Sequence, residues 1–148
     1  MSWRMNMKIY VASSWRNDFQ PHIVASLRQA GHEVYDFRNP QEDNKGFSWS
    51  EIDSDWQGWD IKKYRDLLDD PIAQKGFELD WDAMLWADCC VLVLPCGRSA
   101  HIEAGYFVGA GKQLHILLHN TGFESELMYK MATGIHVSIY EVLKALKQ

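Results

Sequence analysis

The sequence holds no long apolar run: none of its stretches approaches the roughly 20 residues that a membrane-crossing helix needs, so no membrane span is expected. It also has no basic stripe. Lys and Arg total 15 against 20 Asp and Glu, a net charge of −5, and cations scattered in this way leave no footprint for a nucleic-acid backbone. Cysteine is scarce. The three present, Cys89, Cys90 and Cys96, show neither zinc-ligand spacing nor an even disulfide framework, which leaves reduced, buried thiols and favours a cytoplasmic protein. The opening stretch from Met1 to Met7 is polar and lacks the apolar region of a signal peptide. There is no internal repeat or low-complexity tract. What remains is 148 residues, 47% hydrophobic and 13% aromatic, enough for one packed domain over residues 1–148 with a small molecule as its partner.

The apolar pattern alternates between strand and helix. Lys8–Ala12 reads as a buried strand followed by the polar turn Ser13 to Asn17. Pro21 then suits a first helical turn, Ile23, Leu27 and Ala30 recur at helical spacing, and Gly31 ends the helix. A strand over 33–37 completes a βαβ unit, which implies parallel pairing with a right-handed crossover. Residues 38–58 are polar and irregular yet carry Phe47, Trp49 and Trp56. This pattern fits equally a lid that stacks on a ligand or a loop pinned down by its own aromatics.

A short helix is expected over 61–68 and a longer one from Pro71 to Trp86. The uninterrupted apolar run 89–94 predicts a central parallel strand buried on both faces. A helix over about 101–110, a strand over 114–118, a helix over 124–132, a short strand over 136–138 and a last helix over 139–147 follow. Together they predict an α/β fold: an open, doubly wound, flavodoxin- or Rossmann-like sheet of about five parallel strands with helices on both faces.

Such a sheet binds ligands beyond the carboxyl ends of its strands, at the point where strand order reverses. Three turns are expected there: 13–17, the loop after Phe37, and 95–101. Glu103 then falls in the first turn of the helix leaving the third of them, where amide groups and Arg98 favour its anionic form. Asp80, on the helix before the central strand, supplies a second carboxyl of the kind that acts beside a nucleophile at a glycosidic bond. Tyr10, near the end of the first strand, is placed to hold Glu103 by a hydrogen bond. Each also has a plain structural reading: a helix-start acid, a solvated helix acid and a core aromatic.

The runs IYVASSWRN (9–17), ELDWDAMLWAD (78–88) and HIEAGYFVGAGK (101–112) together resemble, in order and spacing, the nucleoside 2-deoxyribosyltransferase family, which includes the related hydrolases of 2′-deoxynucleoside 5′-monophosphates. The resemblance implies an enzyme that breaks the N-glycosidic bond. Glu103 matches the nucleophile that forms a covalent deoxyribosyl ester, Asp80 the acid that protonates the leaving base, and Tyr10 the tyrosine that orients the nucleophile. Water or a second base then takes the sugar, and neither metal nor cofactor is required.

The resemblance also implies a homodimer or larger assembly with shared sites. In it, Glu126 and Met128, from the segment Glu126-Leu127-Met128, would reach the sugar bound by a neighbouring subunit. The chain departs from the transferases at Gly97, where they place an acidic residue against the base, and Arg98 and Ser99 follow it. Arg16 stands where the nucleotide hydrolases have Arg, and with Ser13, Ser14 and Ser99 it forms a candidate anion pocket. Two other readings stay open: a non-catalytic nucleotide-binding module on the same fold, and an NAD glycohydrolase.

Overall fold

A computed structural model describes residues 6–147; residues 1–5 of the polar opening stretch, and residue 148, lie outside it. The chain clusters into two compact units, one built from the stretches before Phe37 and from Trp86 onward, the other from Phe37–Leu85.

The first unit is a five-stranded, wholly parallel sheet. Its strands are β1 (Lys8–Ala12), β2 (Glu33–Asp36), β3 (Cys89–Val93), β4 (Gln113–Leu117) and β5 (Gly134–His136), in the order β2-β1-β3-β4-β5. Register pairs Tyr10 with Cys90 and Val91 with His115. The alternation of strand side chains decides what each face does. Ile9, Val11, Cys89, Val91, Val93 and Leu117 project to one face. There they pack on Ile23, Val24 and Leu27 of α1 (Gln20–Gln29) and on Val142 and Leu146 of α5 (Ile139–Leu146). The opposite face carries Tyr10, whose ring meets Phe107 of α4 (Arg98–Gly109). All five residues of β3 are buried, as its apolar run requires of a strand covered on both sides. The doubly wound parallel architecture read from the sequence is the architecture present.

Three elements differ from expectation by two residues or more. The helix expected from about residue 101 begins at Arg98, with Gly97 in extended conformation as its N-cap. Arg98 and Ser99 read as loop in sequence because they are polar, but they carry no breaker, so the helix starts as soon as Gly97 ends. The helix expected over 124–132 is only a 3-10 segment, Leu127–Met131, since the stretch before it buries nothing that would hold a longer helix. The last strand lies at Gly134–His136, two residues early. Gly134 allows two histidine rings to meet over it, and Ser138 caps α5 by accepting from the Glu141 amide at 3.3 Å.

In the second unit, α2 (Ile61–Leu67) and α3, which starts here and runs Pro71–Trp86, follow two 3-10 turns at Trp49–Glu51 and Trp56–Gly58. Trp49 makes edge-on contacts with Phe47, Trp59 and Tyr64 at 4.8, 5.8 and 5.9 Å between ring centres. Phe47 lies so close to Gly76 of α3 that a Cβ there would come within 3.1 Å of it. Trp49 thus packs edge-on among its aromatic neighbours, and Phe47 lies against α3. No described helix is long and apolar enough to cross a membrane.

Candidate active site

Strand order reverses between β1 and β3: the chain leaves β1 toward β2 on one side and returns to β3 on the other. The two turns that diverge there, 13–17 and 94–97, are joined by side chains. Ser13 Oγ donates to the Val93 carbonyl at 2.9 Å. The buried Asn17 donates its amide to the carbonyls of Val93 and Pro95 at 3.3 and 3.1 Å, and its oxygen accepts from the Phe19 amide at 2.8 Å. Parallel strands have no ladder beyond their ends, so this one amide stands in for the missing pairing. Asn17 appears in the sequence only as the end of a polar turn, and nothing in that turn distinguishes it as the connection.

Glu103 is not in the first turn of α4. It is the sixth helical residue counted from Arg98, so first-turn amides do not stabilise its charge. Its partner is Tyr10, whose hydroxyl donates to Glu103 Oε2. Tyr10 is itself fixed: 1% exposed, stacked on Tyr35 at 5.4 Å and tilted against Phe107 at 5.7 Å. A half-buried carboxylate on α4 is thus held in one orientation by a buried phenol from the middle of β1.

The nearby thiols are no rival nucleophiles. Burial, with the charge of Glu103, pushes Cys96 up to about 12 and Cys90 well above its ordinary value; burial and Asp88 push Cys89 to about 12. All three are free and protonated.

The other predicted residues fall into three places. Arg16 is exposed, and its amide donates to Ser14 Oγ at 3.2 Å. Ser14 therefore keeps a hydroxyl hydrogen for a ligand, whereas Ser13, which gives its hydrogen to Val93, offers a ligand only lone pairs. Gly97, Arg98, Glu126 and Met128 border a cavity of about 830 Å³ together with His101 and Tyr129, and Ser99 is exposed on the same first turn of α4. Asp80 belongs to the second unit, half-buried on α3 in the stretch where Phe77 and Trp81 stack 6.0 Å apart. Among the described residues no group of three or more His, Cys, Asp or Glu is arranged to hold a metal ion.

The fold thus defined is the open, doubly wound parallel sheet, with a carboxylate–phenol pair that joins α4 to β1. Among solved structures the chain is similar to a 2-deoxyribosyltransferase from the psychrotolerant bacterium Bacillus psychrosaccharolyticus. The TM-score is 0.60 at 20% identity, over 93% of this chain and 94% of that one. It is also matched with a CMP N-glycosidase from Clostridium botulinum, with a TM-score of 0.49 at 18% identity, over 95% and 98% of the two chains. No protein-family model and no curated protein sequence matches it. At 20% identity the first likeness establishes a shared fold over nearly the whole of both chains.

Proposed function

We propose that this chain belongs with the nucleoside 2-deoxyribosyltransferases and related N-hydrolases, and that it breaks the N-glycosidic bond of a 2′-deoxynucleoside or its 5′-monophosphate. The observation that carries this reading is the hydrogen bond from Tyr10 to Glu103, because it joins two residues 93 positions apart that the motif resemblance assigns to one task. The similarity to a 2-deoxyribosyltransferase structure supports the same class of reaction.

In this mechanism the Glu103 carboxylate attacks the anomeric carbon as the bond to the base breaks. Tyr10 limits it to the rotamer that faces the sugar. The transition state has oxocarbenium character, so an anion below the ring both stabilises and then captures it. Asp80 donates a proton to the departing base, leaving it neutral. The ester formed on Glu103 is released to water, which returns free deoxyribose or its phosphate, or to a second base, which returns a new nucleoside. Arg16, Ser14 and Ser99 are the donors proposed for a 5′-phosphate, with Ser13 shaping the turn beneath them. Glu126 and Met128 contact the sugar, from a neighbouring subunit in a dimer or larger homo-oligomer.

The test is a chromatographic assay of base release from a panel of deoxynucleosides and deoxynucleoside monophosphates, with and without an added free base. Release by the wild type, and a loss of at least about 10³-fold in Glu103→Ala, supports the reading; undiminished release by the variant overturns it. A product that appears only with acceptor base identifies a transferase, and base release without it a hydrolase.

A further inference from the structure

Every residue from Asn120 to Met131 is exposed except Tyr129. This stretch carries Glu126 and Met128, and Leu127, Met128 and Met131 are 82, 61 and 51% exposed, so ordinary core packing does not hold them. A side-chain hydrogen bond from Tyr129 to His101 ties the stretch to α4. The Tyr129 hydroxyl lies 2.8 Å from His101 Nε2, and the two ring planes are nearly parallel, 14° apart with centres at 5.8 Å. On its other side His101 Nδ1 lies 2.7 Å from the Gly97 carbonyl oxygen. A carbonyl only accepts, so Nδ1 carries the hydrogen and the Nε2 lone pair accepts from the Tyr129 hydroxyl.

We propose that His101 is a positioning residue: bridging Gly97 and Tyr129, it holds the 126–128 segment at a fixed height over the first turns of α4. The inference rests on the function proposed above in one respect, that Glu126 and Met128 touch substrate. The bridge tolerates pH. If His101 gains a proton, Nε2 donates and the Tyr129 oxygen accepts, so the link reverses its polarity without breaking. Cys96 Sγ, 3.7 Å from Nδ1, stays a thiol and contributes no charge.

The test joins amide hydrogen exchange over 126–131 to steady-state kinetics for Tyr129→Phe, His101→Ala and His101→Gln. Tyr129→Phe keeps the ring and loses only the hydroxyl, and Gln offers an oxygen where Nε2 stood. Expected are exchange faster by about 5–20-fold in Tyr129→Phe and His101→Ala, partial restoration in His101→Gln, and KM raised by a similar factor with kcat within about twofold. Exchange and KM at the wild-type level in both Tyr129→Phe and His101→Ala would overturn the proposal. A wild type that releases no base from any substrate would instead overturn the functional reading, and the exchange data would then judge the bridge alone.

Discussion

A buried phenol must place its hydroxyl hydrogen somewhere, and Tyr10 gives it to a carboxylate rather than to the backbone. A hydrogen bond to a charged group contributes about 1.5–3 kcal/mol, and restraining a nucleophile matters most when it must reach one carbon. Tyr10→Phe keeps the stacking with Tyr35 and Phe107, so the expected result is a folded protein whose kcat falls by about 10–100-fold with KM little changed. Circular dichroism and initial rates check both halves of that statement. An unaltered kcat would show that Glu103 needs no such partner.

At the scale of elements, β5 is the least ordinary strand. His115 and His136 meet across β4 and β5 at 3.0 Å, and His115 Nε2 lies 3.0 Å from the Gln113 side-chain oxygen. Gln113 therefore accepts from Nε2, which leaves His115 Nδ1 to accept from His136. Gly134 is what lets the rings meet: a Cβ there would come within 2.8 Å of His136 Nε2 and 3.3 Å of His115 Nδ1. Gly134→Ala is expected to destabilise by about 1–3 kcal/mol through this overlap, seen as a lower urea midpoint at constant slope.

Steric need of this kind is invisible in a sequence, and so the apolar pattern sets β5 two residues later than it lies. The strands with strong apolar runs, β1 and β3, were legible in place, as was α3 with its proline at the start. The unread parts depend on partners far along the chain. Asn17 depends on carbonyls 76 and 78 positions away, and Tyr129 on a histidine 28 positions back. Such pairs leave no periodic trace. Tyr10 and Glu103 are equally distant, and motif order, not periodicity, pointed to their meeting.

For the whole molecule, three histidines make acid the natural denaturant. Burial lowers His32, whose Nδ1 accepts from the Met7 amide at 2.9 Å. Burial and then the charge of His136 take His115 down to about 4, and burial lowers His136 against an opposing pull from Glu141. Each is neutral when folded, while the unfolded chain protonates its histidines near 6.5. Between those limits the unfolded state binds more protons, so stability is present above about pH 6.5 and is lost as pH falls toward about 4. Calorimetry from pH 7.5 to 4.5 is expected to show Tm falling by about 5–10 °C, mostly below pH 6.5. A level Tm across that range would show that the buried rings open to solvent without cost.

The join made by Asn17 has a consequence for how much change the neighbouring turn tolerates. It grips the carbonyls of Val93 and Pro95 and leaves Gly97, Arg98 and Ser99, which follow Cys96, outside its hold. Gly97 has a φ of −95° and nothing within 4 Å of where a Cβ would sit, so neither backbone nor space demands a glycine. A side chain there would fit without disturbing the sheet. Position 97 is thus free to carry a side chain of any size, while the turn that Asn17 holds beside it stays fixed.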